Sequence, residues 1–344
     1  MKRLSFLVTM FFFFACETVV EVDIPRNPSQ LTVNSLFNPD SAWQVELSQN
    51  RFILDSKQFA PVPDAEVRIT QDGQAVAMLE YNGDAPFTRN SIYRANRNFP
   101  APQAGESYTL EVVHPTFTNL SAVGQAPINE STLISAVLDT LDTRVEPGSP
   151  DRIAYALIIQ FKDHPTASFY SVSAELRFKA FGLTTLNDST VGTVRNIRSL
   201  SSVFTIDPVV DNPFDNYRDE LLFKDVSFNG ETYELKLYVA FEDNSAYTNL
   251  FTSPLLLQDE TLFDEQGNVA FVPGDTIDLS SMHVLLRTVS NAYYEYGFTR
   301  DLQASVEDNP FAQPVQVFDN IEGGLGIFTG YSQQEQKVTI RQGE

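Results

Sequence analysis

Cysteine is almost missing from this 344-residue chain: Cys16 is the only one. An internal disulfide is therefore excluded, and burial and hydrogen bonding must hold the fold. Histidine is nearly as scarce, with three copies. His114 and His164 each precede proline in turn-like surroundings, and His283 sits in a strand-like run. No Gly-x-Ser-x-Gly elbow, His-Glu-x-x-His pair or glycine-led phosphate loop occurs. The residues thus point away from an enzyme. A hydrolase acting on peptide or glycan through spatially paired carboxylates, which sequence does not reveal, is the remote alternative.

Positive charge is also in short supply, with 23 Lys and Arg against 45 Asp and Glu, a formal net charge of -22. Such a surface repels phosphate backbones, so nucleic acid is excluded as a partner. An anionic membrane face would repel it too, so membrane attachment has to come from a lipid.

A spanning apolar run is absent as well. The chain opens MKRLSFLVTMFFFFAC, with Lys2 and Arg3 followed by an apolar segment from Leu4 to Ala15 that only Ser5 and Thr9 interrupt. That segment falls short of the roughly 20 residues a membrane helix needs, but it fits the apolar part of a signal peptide. Residues 1–15 read as a lipoprotein signal peptide and Cys16 as the lipid-attachment site. Phe13 and Phe14 stand where a bacterial lipobox has leucine and a small residue. A plain secretory signal with an incidental thiol is the alternative reading, although a lone thiol would find no disulfide partner. A lipobox cysteine carries at least a diacylglycerol, and two acyl chains anchor stably. Cleavage before Cys16 removes Lys2 and Arg3, leaving 45 acids against 21 bases, or -24.

What remains is a strand-rich chain. Its hydrophobic content of 42% and aromatic content of 12% are those of a folded protein. Residues 16–28 form a short tether closed by Pro25 and Pro28. Leu31–Leu36, Trp43–Leu47, Ala65–Thr70, Gln74–Leu79, Ile92–Tyr93 and Gly105–Val112 alternate or are strand-like, and Asp72-Gly73 is a hairpin signal. Short strands at this spacing predict an immunoglobulin-like β-sandwich over residues 29–128. Residues 129–344 predict a larger β-rich domain with strands at Ile153–Phe161, Phe169–Phe178, Leu221–Phe223, Thr232–Phe241 and Met282–Leu286. Asn229-Gly230 signals another hairpin. One helix is expected near 292–306, where Tyr294, Phe298 and Leu302 share a face, with Ser290 or Asn291 as its cap. The chain then ends in a glycine-rich tail and a last short strand, Lys337–Ile340.

Three features invite a ligand. Asp207, Asp211, Asp215 and Asp219 offer the hard oxygen atoms that calcium prefers, but their spacing matches no EF-hand, and a solvated loop is the default. Gly323, Gly324, Gly326 and Gly330 suggest a nucleotide loop, yet no strand–helix frame surrounds them; glycines that permit close chain approach are the stronger reading. Phe214, Tyr217 and Tyr247 are aromatic contact candidates that packing would also explain. No cofactor is expected. Asp40, Asp139, Asp188 and Asp275 each begin an Asp-Ser/Thr-apolar triplet of the kind O-glycosylated in Bacteroidota.

Cys16-Glu17, Asp23-Ile-Pro25, Leu31-Thr-Val-Asn34, Gly105–Leu110, Leu222-Phe-Lys-Asp225 and Asn229-Gly230 carry a resemblance, as do Asn309-Pro-Phe311, Pro314-Val315, Asn320–Phe328 and Gly330-Tyr331. Together they resemble a lipoprotein family of the Bacteroidota catalogued as domain of unknown function 4249. The resemblance implies an outer-membrane lipoprotein, commonly encoded beside a TonB-dependent receptor, with an accessory role in nutrient uptake. It supplies no catalytic residues. An independent surface adhesin or structural lipoprotein is the alternative, and the membrane face is left open.

Overall fold

The structure is a computed structural model that describes residues 28–50, 61–85, 90–146, 149–166, 168–186, 189–211, 217–240, 255–256, 261–264, 268–277, 280–306 and 312–341. Cys16, the expected signal peptide and the expected tether up to residue 27 lie outside these residues.

Strand periodicity becomes a sheet in the first part of the chain. Its strands are β1 (Leu31–Phe37), β2 (Gln44–Gln49), β3 (Glu66–Gln71), β4 (Gln74–Asp84), β5 (Ser91–Ala95), β6 (Ser107–Val113) and β7 (Leu120–Gln125). In β1, Leu31, Val33, Ser35 and Phe37 are buried and alternate with more exposed positions, as the pleat demands. Antiparallel ladders join β1-β2-β5-β4 and then β3-β6-β7, with β4 also paired to β3. The β3–β4 ladder joins the two runs into one continuous sheet. Asp72 and Gly73 close that ladder with φ of 50° and 76°, the left-handed pair that a tight hairpin turn requires. Strand β7 is an addition to the sequence reading, where Gly124 and flanking polar residues obscured it.

The second part is two packed sheets. The first contains β8 (Thr132–Glu146), β9 (Ser149–Lys162) and β13 (Thr232–Ala240), neighbours in that order. The second is built on β10 (Phe169–Leu186), flanked by β18 (Ser280–Val289) on one side and by β11 (Ser189–Phe204) and β12 (Leu221–Lys224) on the other. Short strands β14 (Leu255–Leu256), β15 (Leu262–Phe263), β16 (Val269–Phe271) and β17 (Thr276–Ile277) lie beyond. Leu157, Ile159 and Phe161 of β9 meet Tyr170, Val172 and Ala174 of β10 between the sheets. Each fully buried large side chain there contributes about 1.5–3 kcal/mol.

Asn229-Gly230 does not close a hairpin. β12 pairs with β10 while β13 pairs with β9, so the turn carries the chain from one sheet to the other. The Asp163-His-Pro165 turn makes the same crossing in the opposite sense, and the two are tied together. The Tyr170 hydroxyl donates to Asp163 Oδ1, and the Gly230 amide donates to Asp163 Oδ2 at 2.8 Å. Asp225 accepts from the Ser168 amide at 2.7 Å, and burial raises its pKa.

Helix α1 (Asn291–Val306) covers the outer face of the second sheet, with Tyr293, Tyr294 and Phe298 against Leu222 and Val289. Ser290 caps it by accepting from the Tyr293 amide at 3.0 Å. The tail then returns to the start of the chain. β19 (Leu325–Lys337) runs parallel to β1 over Leu325–Gly330 and antiparallel to β18 over Tyr331–Lys337. Phe328 and Ile321 are buried in the first core, so core membership places this stretch with residues 31–126 and not with its chain neighbours. A final strand, β20 (Thr339–Arg341), pairs parallel to β8. One strand thus belongs to both parts, and the peptide between them is fastened along it: Gln334 bonds Asn129 at 3.0 Å and the Leu133 amide at 2.7 Å.

Candidate functional site, an arginine-lined cavity

The acidic stretch singled out in the sequence does not assemble into one site. Asp207 accepts hydrogen bonds from the Tyr233 hydroxyl at 2.8 and 2.9 Å and closes its own turn through the Val209 amide. Asp211 receives the Tyr294 hydroxyl from α1. Asp219 lines a cavity elsewhere, and Asp215 lies outside the described residues, as do Phe214 and Tyr247. Among the described residues no three His, Cys, Asp or Glu side chains are grouped to hold a metal ion.

The glycine tail has a packing explanation. A Cβ on Gly326 would lie 1.9 Å from the Val33 carbonyl oxygen, and one on Gly330 would lie 2.6 Å from the Ala126 Cα. These residues let β19 slide between β1 and the strand β7 end, and no helix N-terminus follows them. The histidines are likewise accounted for. His114 bonds the Thr116 amide, and His164 lies 3.0 Å from Glu130. His283 lies 2.9 Å from Glu335.

Of the residues singled out in the sequence, Tyr217 and Asp219 line the site that does assemble, whose arginines the sequence did not mark. A cavity of about 490 Å³ opens where the second half of α1 passes over the outer face of the β10 sheet. Alternation along β10 explains its floor: Tyr170, Val172 and Ala174 face the core, so Ser173 faces the helix side. β18 contributes Arg287, β11 contributes Leu200 at the rim, and α1 contributes Arg300 and Asp301. The segment 217–220 contributes Tyr217, Arg218, Asp219 and Glu220. That segment is held to the end of β11 by two backbone bonds between Arg218 and Val203, 2.6 and 2.8 Å long.

Three arginines meet two carboxylates here, and Asp219 lines the same cavity. Arg287 Nη1 donates to Glu220 at 2.7 Å, and its Nε donates to Gln333 at 3.0 Å. Glu220 also accepts the Tyr293 hydroxyl at 3.0 Å. Asp301 holds both Arg218, at 3.3 Å, and Arg300, at 3.0 Å. Burial disfavours the Arg287 charge, but Tyr293 and Glu220 beside it prevail and its pKa is raised. Burial and Glu220 push the Tyr293 hydroxyl far above its ordinary range, so it remains a donor. Arg287 also stacks on Tyr331, 5.1 Å from the ring centre, and Tyr331 accepts from Asn38 of the first part at 2.8 Å. The cavity wall therefore reaches the junction between the two parts.

Among the described residues, the buried side-chain atoms with no hydrogen-bond partner include the Ser173 hydroxyl and the Arg218 Nε in this cavity, and the Ser171 and Ser280 hydroxyls outside it. A structure of this kind leaves few such atoms, and each calls for a reason. Around the cavity the same sheet face is tightly paired. Arg177 forks onto Glu335 at 2.7 and 2.6 Å, and this contact, opposed by burial, lowers the Glu335 pKa. Burial and the nearby Arg177 lower that of His283, with Glu335 pulling the other way.

No curated protein matches the chain. Among solved structures, it is similar to a DUF4785 family protein from Legionella pneumophila at 13% identity and a TM-score of 0.21. That match covers 75% of this chain and 52% of the other, so the chain spans about half the length of that protein. A likeness of that size carries no argument about fold or function. The sequence profile of DUF4249, a domain of unknown function, matches residues 17–337. That span covers nearly all of the sequence, and the chain belongs to the DUF4249 family.

Proposed function

We propose that the protein is a non-catalytic lipoprotein of the bacterial outer membrane, tethered through Cys16, that serves as an accessory or ligand-binding partner of a TonB-dependent uptake receptor. The observation that most supports this reading is the sharing of β19 between the two parts. A strand that pairs with β1 and β18 in turn holds both parts in one orientation, which suits a protein that presents a surface to a fixed partner. The cavity adds to it. Two of its carboxylates, Glu220 and Asp301, hold its three arginines, and none of the three histidines lines it. Ionisable groups committed to one another suit binding better than proton transfer.

A lipid tether confines the protein to the membrane plane and raises its effective concentration near a receptor, so a weak contact suffices. Affinity purification of tagged full-length protein in mild detergent tests the proposal. The expected result is a TonB-dependent receptor in the eluate at a fixed ratio. Its absence under those conditions overturns the partnership and leaves an independent adhesin or structural lipoprotein.

A further inference from the structure

We propose that the arginine-lined cavity binds a small organic acid, a solute that carries at least one carboxylate on a compact polar or partly apolar skeleton. The inference stands whether or not the receptor pairing does, because it rests on the cavity alone.

Size sets the first limit. About 490 Å³ lies within the range of small-molecule sites and far above what a single inorganic ion needs. Lining chemistry sets the second. Arg218, Arg287 and Arg300 balance Asp219, Glu220 and Asp301 three on three, whereas across the chain acids outnumber bases 45 to 23. The surplus is in donors. A guanidinium has five N–H groups, and Arg287 spends one on Glu220 and one on Gln333. Arg218 is paired with Asp301 through Nη1, and its Nε is buried without a protein partner. The Ser173 hydroxyl is in the same condition on a residue only 1% exposed.

The Arg218 Nε and the Ser173 hydroxyl call for an acceptor, and a carboxylate is the acceptor that arginine forks recognise best. The carboxylates already present fix the guanidinium groups in place, so the donors are held ready before a ligand arrives. Tyr217 and Leu200 supply the apolar side for the carbon skeleton. The chain's net charge opposes an anion at long range only. Screening at physiological salt confines that repulsion to about 8 Å, while the arginine contacts act within hydrogen-bond reach.

Isothermal titration calorimetry of purified full-length protein at fixed ionic strength tests the proposal, with citrate, succinate and galacturonate as probes and galactose as the uncharged control. At least one acid is expected to bind saturably at one per chain, and galactose is not. Arg218→Gln should weaken that binding about tenfold or more by removing a charged donor. Leu200→Trp keeps every ion pair and fills the rim, so it should weaken binding in a protein whose melting temperature is unchanged. No saturable binding of any of the three acids overturns the proposal. So does galactose binding of equal strength, or acid binding undiminished in both variants.

Discussion

Asn320 serves Phe328 as a strand partner would. Its Oδ1 accepts from the Phe328 amide at 2.9 Å and its Nδ2 donates to the Phe328 carbonyl at 2.8 Å, with Val123 O also in reach at 3.2 Å. One side chain thereby satisfies both backbone groups of a residue whose ring is fully buried against Phe37, 4.9 Å between centroids. Asn320→Ala strands those groups. Two lost bonds at about 1 kcal/mol each give an expected loss of about 2 kcal/mol in urea unfolding. Unchanged stability would show that the tail is not held by this amide.

Gly326 and Gly73 both have positive φ, 110° and 76°, but differ in their surroundings. Nothing lies within 4 Å of a Cβ on Gly73, so Gly73→Ala should cost only backbone strain, about 1–2 kcal/mol. Gly326→Ala drives a methyl into the Val33 carbonyl and separates β19 from β1. Its cost should exceed about 3 kcal/mol and open the junction to proteolysis. Equal melting temperatures for the two variants would contradict the close β1–β19 contact.

Acid should weaken the fold through His283 and Glu335. The folded pKa of His283 is lowered from 6.5, so the unfolded chain binds more protons between that lowered value and 6.5. Stability therefore rises with pH across this window and is fully present above 6.5. Glu335, lowered from 4.5 chiefly by Arg177, contributes stability above 4.5 that is lost as pH falls through its folded value. Urea midpoints measured between pH 4 and 8 should increase with pH, and His283→Gln should flatten the upper part of the curve. A midpoint that falls between pH 5 and 7 in the parent, and not in the variant, would reverse the sign argued for His283.

Cys16→Ala should move the protein from the membrane fraction to the soluble one, since the lipid is the only anchor in the proposal. Fractionation of cells expressing the variant measures this directly. Extraction that still requires detergent would sink the lipid tether.

Much of the strand and helix content was readable because it depends on near neighbours. Period-two alternation marked β1 to β6, Asp72-Gly73 marked its hairpin, and Tyr294 and Phe298 with a cap at Ser290 or Asn291 marked α1 within one residue of its observed start, the cap being Ser290. Strands β7, β8, β11, β14 to β17 and β19 carry no such mark. In β19 glycine and glutamine hide a strand pattern, because residues that look like loop punctuation in isolation are there to let two backbones touch. Asn229-Gly230 was read correctly as a turn and wrongly as a hairpin, since a dipeptide sets local φ but not which sheet receives the next strand.

The cavity was beyond sequence reading for a related reason. Ser173, Arg218 and Arg287 are separated by dozens of residues, and only the crossing of α1, which carries Asp301, over the β10 sheet brings them together. The amino-acid sequence by itself determined the composition class, the absence of a disulfide, the local period of most strands and the family. Tertiary structure alone decided that β19 joins the two parts and that three arginines converge in an acidic chain. Local patterns depend on steric and burial preferences over a few residues; those two features depend on long-range pairing, whose partners leave no mark on each other along the chain.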